Sequence, residues 1–337
     1  MDDVTLSVLR SIETDGRNVA VRLAETWGLT RQAATARLNK LLKAGLLTRA
    51  GHGAGVVYSL AVTHQVQQAF DREGLMEDRV WQTLLRPVLA ELPVNVRDVW
   101  QYGMTEMINN AVDHSSGHEV RVGLRRTALS TEGYVMDDGE GIFLRIQRAL
   151  DLFDPRESIL ELAKGKFTTD PAHHSGEGIF FASKVFDSFQ ILSGRHRFRH
   201  GAGDAGVMDE DDEEVRGTII RMALANDSTR TTRAVFDAFA VPDEFVFART
   251  VVPVRLAQHE GERLVSRSQA KRLTRRFERF QSVVLDFSGV EEIGQGFADE
   301  VFRVFRQAHP QTQLSPIQMN DAVAAMVGRV GAPGRAP

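Results

Sequence analysis

Glu106 and Asn110 stand four residues apart in the run Glu106-Met-Ile-Asn-Asn110-Ala. The stretch 97–113 around them reads as a helix with Val99, Tyr102, Met107 and Ile108 turned inward, so the two polar side chains share one face. A carboxylate there can orient or deprotonate a water that attacks a γ-phosphate, and an amide oxygen beside it can ligate magnesium, a hard ion that prefers oxygen. The same spacing also describes an ordinary polar helix face. In Asp137-Asp-Gly139-Glu-Gly141-Ile, a strand at 134–136 delivers Asp137. A carboxylate at a strand end can accept a hydrogen bond from the adenine amino group, which guanine lacks, and Gly139 and Gly141 let the backbone pass close to a purine. Taken alone, Asp-Gly is also a common turn pair. Gly176 and Gly178 open a helix over 179–186, where exposed amides can meet phosphate, with Lys166 and Ser175 as further phosphate contacts. The polar stretch 155–176 can close as a lid; its His173 and His174 suit a solvated loop better than a metal site. Gly217-Thr218 begins a strand, and the threonine hydroxyl can reach the nucleotide. Each segment is weak alone. In this order and spacing, the four describe one pocket for ATP with magnesium.

Three units must position these residues: 1–64, 65–243 and 244–337, the last ending in a tail, 331–337, expected to be disordered. The chain has 337 residues, 42% of them hydrophobic and 26% charged, which suits two or three globular domains. It has no cysteine, so disulfides, thiolate metal sites and cysteine nucleophiles are excluded, and a reducing cytoplasm is the expected location. Asp2 and Asp3 with no apolar segment behind them do not make a signal peptide, and no apolar run approaches the length of a membrane span. The acidic run Asp209–Glu214, preceded by the basic run Arg195–His200, reads as a solvated loop between two strands.

The first unit reads as helices at 4–14 and 17–26, then a third that Thr30 can cap and Gly45 ends. Ala34, Leu38, Leu41 and Leu42 form its buried stripe. Arg31, Gln32, Thr35, Asn39 and Lys43 lie opposite, able to reach base edges or phosphates. Strands at 46–50 and 56–60 flank a glycine-rich tip, and Arg49 sits in the first of them. Through residue 60 there are eight Lys and Arg against five acids, a balance of about +3 in a chain whose net charge is −4. Residues 4–61 resemble a winged helix-turn-helix domain, which implies a DNA-binding unit with its third helix in the major groove. A winged helix used only for protein contacts is the alternative.

Residues 95–225 resemble the GHKL ATPases, the class of gyrase, heat-shock chaperones, histidine kinases and mismatch-repair ATPases. Glu106–Ala111 resembles the N box, Asp137–Gly141 the D-x-G-x-G box, Gly176 and Gly178 the second glycine box, and Gly217-Thr218 the late G-T pair. The resemblance implies a Bergerat-type α/β sandwich, with helices on one face of a mixed sheet and ATP on the helical side. It implies Glu106 as general base, Asn110 as magnesium ligand and Asp137 as adenine reader. His64 is followed by Gln65, and Pro87 and Pro93 do not fit a phosphoacceptor helix, so autophosphorylation on histidine is not expected.

The last unit alternates strand and helix: strand 245–254, helix 266–280, strand 282–287, helix 296–308, strand 313–319 and helix 321–330. Val283–Gly289 followed by Ile293 resembles a STAS-like domain. The run Ile293-Gly-Gln-Gly-Phe297 lacks the hydroxyl that the anti-anti-sigma members phosphorylate, which implies docking or dimerisation instead. The chain is therefore expected to be an α/β (α+β multidomain) protein. Its expected activity is ATP-controlled DNA binding with slow hydrolysis, as a homodimer with a possible protein partner on the STAS-like unit. An anti-sigma-like serine kinase or partner switch, and an ATPase subunit of a larger defence or remodelling assembly, remain open.

Overall fold

The computed structural model describes residues 3–168, 176–201, 204–240, 247–258 and 262–331. Its first unit packs α1 (Asp3–Thr14), α2 (Val19–Trp27) and α3 (Arg31–Lys43) against a hairpin of β1 (Leu47–Ala50) and β2 (Val57–Leu60). The Thr30 hydroxyl accepts from the Ala33 amide at 3.1 Å, the cap that the sequence suggests, and Gly28 ends α2 in the left-handed region. Val8, Leu9, Ile12, Leu23, Ala34, Leu38, Leu47 and Tyr58 belong to a core separate from the rest of the molecule. Leu129, with the partly buried Ala128 beside it, reaches this core from the turn between two strands of the next unit.

The central unit begins with β3 (His64–Asp71). α4 (Glu77–Val80) continues through a π-helical stretch, Trp81–Leu85, into α5 (Arg86–Leu89). The long α6 (Val94–His114) follows, then β4 (Glu119–Arg126), β5 (Ser130–Asp137), α7 (Ile142–Leu150), α8 (Arg156–Lys164), α9 (Gly178–Val185), β6 (Ser188–Gly201), β7 (Asp204–Ala225) and α10 (Thr232–Phe239). The sheet order is β3-β4-β5-β7-β6 and every pairing is antiparallel, where the resemblance implies a mixed sheet. Val120, Val122 and Leu124 alternate along β4 and are buried. α6 buries Val99, Trp100, Met104, Met107 and Ile108 in the same core.

Two expectations are corrected here. The acidic run 209–214 lies within β7, not in a loop: Asp209 stands opposite Arg197 and Glu210 opposite His196 in the β6–β7 register. Backbone pairing along a neighbouring strand holds in extended form a run that reads as a loop when taken alone. The stretch 155–176 is not uniformly polar loop. Its first half is α8, which is buried from Glu157 to Lys164 because its charged side chains find partners in the last unit.

That last unit holds a parallel sheet, order β10-β9-β8, from β8 (Arg249–Pro253), β9 (Ser282–Asp286) and β10 (Gln313–Ile317). α11 (Arg267–Thr274) precedes β9. α12 (Gln295–Asp299), a π-helical stretch and α13 (Arg306–Ala308) lie between β9 and β10, and α14 (Asp321–Gly331) ends the described chain. Residues 245 and 246 of the expected first strand, and the tail from 332, lie outside the described residues. The core runs without a break from the central unit into this one: Phe180 contacts Phe247 at 4.6 Å between ring centroids, and Phe247 contacts Phe280 at 5.5 Å. No helix among the described residues is long and apolar enough to cross a membrane.

Candidate functional site

The helical side of the central sheet encloses a cavity of about 250 Å³. α6 brings Glu106 and Asn110 to it, one helical turn apart, and His114 a turn further on. β5 ends on Asp137 at the cavity wall, facing Thr218 of β7 in the strand register. Gly141, Gly176 and Gly178 complete the set, so seven of the ten sequence-selected nucleotide residues meet around one space. Met107, Val135, Ile146, Leu162, Phe180 and Ile220 supply apolar wall, suited to the faces of a flat ring.

Local geometry explains the residue types. A β-carbon at Gly178 would overlap the Glu106 carboxylate oxygen, so glycine is what lets the start of α9 lie against that side chain. Gly141 has φ +92°, a conformation open mainly to glycine, and it launches α7 from the strand end. The Thr218 hydroxyl accepts from the Ile142 amide at 3.0 Å and so holds the first turn of α7.

The two adjacent aspartates have opposite roles. Asp138 Oδ1 accepts from the His118 and Glu119 amides at 2.7 and 2.9 Å, and these bonds, Glu119 first, hold its carboxyl below the usual range. It braces the turn. Asp137 is 6% exposed, and burial pushes its carboxyl up, with hydrogen bonds from Gly139 (3.0 Å from its amide) and Thr218 pulling the other way. It lines the cavity and is the one of the pair placed to meet a ligand.

Other expected residues are placed differently. Gly139 packs on the Ser115 backbone behind the lining. Lys166 is turned from the cavity: its Nζ donates to the Arg279 carbonyl at 3.1 Å and lies over the Phe247 and Phe280 rings, because the buried α8 points this segment at the last unit. Ser175, His173 and His174 lie outside the described residues. Arg31, Gln32, Thr35, Asn39, Lys43 and Arg49 are all exposed, as are Arg37 and Lys40, which extend the same basic helix.

Arg145 was not singled out by the sequence. It is the one Lys or Arg among the described lining residues, donating to the His114 carbonyl and, at 3.3 Å, to Ser116. Its signal was its place one turn inside a helix that starts at Gly141. Among the described residues no group of three or more acidic or histidine side chains can hold a metal. A magnesium ion bound here with a nucleotide would take oxygens from phosphate groups and water as well as from the protein. Among the described residues the buried Asn110 Nδ2 has no hydrogen-bond partner, on a side chain that lines the cavity. A ligand oxygen would satisfy it, and rotating the amide presents its oxygen to a cation instead. The residues present fit such a group.

Comparison with known families adds one identification. Residues 269–324 match the family model described as a STAS-like domain of unknown function (DUF4325). The C-terminal unit contains a STAS-like domain, at residues 269–324. The match begins within α11, spans β9, α12 and β10, and ends within α14. Its run Ile293–Phe297 carries no hydroxyl, and Ser288, after β9, donates its hydroxyl to Asp286 at 2.6 Å. A search of curated proteins finds no match to the chain.

Proposed function

We propose that the chain is an ATP-controlled DNA-binding regulator: a GHKL-type site holds Mg-ATP and hydrolyses it slowly, and a winged helix-turn-helix at the front contacts DNA. The supporting observation is the convergence of Glu106, Asn110, Asp137, Gly141, Gly176, Gly178 and Thr218, drawn from four distant segments, on one cavity. Asp137 accepts from the adenine amino group, and the apolar wall takes the ring faces. Amides at the start of α9 and the Arg145 guanidinium face the phosphates. Glu106 orients a water and takes its proton. The Asn110 side-chain oxygen would hold magnesium, which neutralises phosphate charge when bound.

Among the described lining residues, three carboxylates, Glu106, Asp137 and Glu177, face a single guanidinium. A bare triphosphate would be repelled, so binding should require the divalent ion. The exposed face of α3, with Arg31, Gln32, Thr35, Asn39 and Lys43, supports the DNA reading, as does the local charge of about +3. Moving a two-state regulator from 1:99 to 99:1 takes about 5.5 kcal/mol of differential affinity.

The test is anisotropy on a duplex selected from a random-sequence pool, with and without Mg-ATP. The expected result is a different affinity in the two conditions; equal affinities would remove the regulator. Glu106→Ala should retain ATP binding and lose turnover by a factor on the order of 10²–10⁴. The STAS-like match favours one alternative, a partner-switching kinase. Transfer of labelled phosphate to a partner serine, in place of release as free phosphate, would select it.

A further inference from the structure

The wall of the cavity between α8 and α9 is held from outside by the STAS-like domain. Phe167 and Thr168 line the cavity on one side of that wall, and Gly176, Glu177 and Gly178 on the other. The Phe167 amide donates to the Gly176 carbonyl at 3.2 Å and joins the two.

Arg276 grips the first of these pieces. Its Nη1 donates to Glu161 of α8 at 3.0 Å. Its Nη2 donates to the Gly165 carbonyl at 3.2 Å and also to the Lys166 carbonyl. The guanidinium sits 5.4 Å from the centroid of the Phe167 ring. A planar fork with several donors is what this arrangement needs; an ammonium cannot reproduce it. Arg276 is 7% exposed and its backbone is in the left-handed region, φ +67°, an unfavourable conformation for a residue with a side chain.

The surrounding contacts make the grip rigid. Lys164 is fully buried, donating to Glu161 at 2.7 Å and to the Arg272 and Arg275 carbonyls at 3.2 and 3.0 Å. Burial pulls its ammonium down to about 8, although Glu161 opposes that. Arg272 and Arg275 approach Glu157 at 3.7 and 3.6 Å, and Lys166 reaches the Arg279 carbonyl. From 272 to 279, the STAS-like domain thus meets α8 and the cavity wall through charged or carbonyl groups at several positions.

We propose that Arg276 is a positioning residue for the nucleotide cavity, fixing the wall at 165–168 so that nucleotide binding and the state of the STAS-like domain are coupled. This rests on the cavity binding ATP. The coupling is reciprocal: whatever displaces Arg276 weakens the nucleotide, and the nucleotide steadies Arg276.

Two measurements on the full chain test it. The first is the Kd of a fluorescent ATP analogue with magnesium for wild type, Arg276→Gln and Arg276→Lys, with thermal melts to establish folding. The expected result is about a tenfold loss for Arg276→Gln and a smaller loss for Arg276→Lys, within the usual range of such couplings. The second needs no variant: hydrogen exchange at amides 272–280 of the wild type should slow when Mg-ATP is added. Wild type that binds no nucleotide would overturn the reading of the cavity. Wild type that binds, with unaltered affinity in a folded Arg276→Gln and unaltered exchange at 272–280, would overturn the role of Arg276 alone. Should Arg276→Gln fail to fold, the exchange measurement decides.

Discussion

The two outer units join the central one by opposite means. The N-terminal unit keeps its own core, and its side-chain links to the sheet include Leu129 and a solvent-exposed pair, Arg10–Asp227, at 3.0 Å. The STAS-like domain has no such boundary. Its Phe277 and Phe280, with Phe247 ahead of it in the chain, belong to the same core as α9, and Glu161, Lys164 and Arg276 are buried across the junction. An exposed ion pair contributes little and breaks readily, whereas a buried one resists separation because each charge would lose its partner out of water. These two joints predict two bodies, a small front unit and a large fused one that contains the cavity.

That comparison can be broken at its strongest point first. Glu161→Ala leaves Lys164 and Arg276 buried without their carboxylate and should cost about 3–5 kcal/mol. Calorimetry should show the transition of the fused body moving down while that of the front unit stays; movement of both together would contradict the two-body picture. Leu129→Ala attacks the other joint and should cost about 2–3 kcal/mol, read mainly in the front unit's transition. Acidification sharpens the contrast within the fused body. On the proposed reading Asp137 accepts from adenine most strongly when ionised, and burial raises its pKa above the ordinary 3.8. Nucleotide affinity should thus fall as pH is lowered, starting above 3.8, in a calorimetric titration where the Asp137→Asn variant, itself weaker, shows no such step. The smallest effect belongs to Arg10→Ala: a change in either melting transition worth less than about 1 kcal/mol.

Local signals carried much of this arrangement into the sequence. The Thr30 cap, the Ala34–Leu38–Leu41 stripe and the alternation through β4 depend on neighbours a few residues away, and each is found in place. The cavity was legible because Gly141 holds a backbone angle that favours glycine, Gly178 lies close against Glu106, and a four-residue step on a helix fixes a shared face. What the sequence concealed is non-local. Glu161 and Arg276 are 115 positions apart, and α8 reads as polar until the partner of its charges is known. Lys166 has the right charge for phosphate, and its direction is decided by a helix that the last unit buries. The acidic run in β7 reads as loop by itself because its backbone pairing with β6 is not visible in the run.

Leu129 directly precedes β5, and β5 ends on Asp137. One eight-residue strand thus runs from the front unit's core to the cavity wall. Extended backbone of that size spans about 26 Å and hardly stretches. A spectroscopic ruler with labels at the two ends of β5 should read one fixed separation in every liganded state. Any displacement of the front unit relative to the cavity must then be a swivel about the hairpin tip.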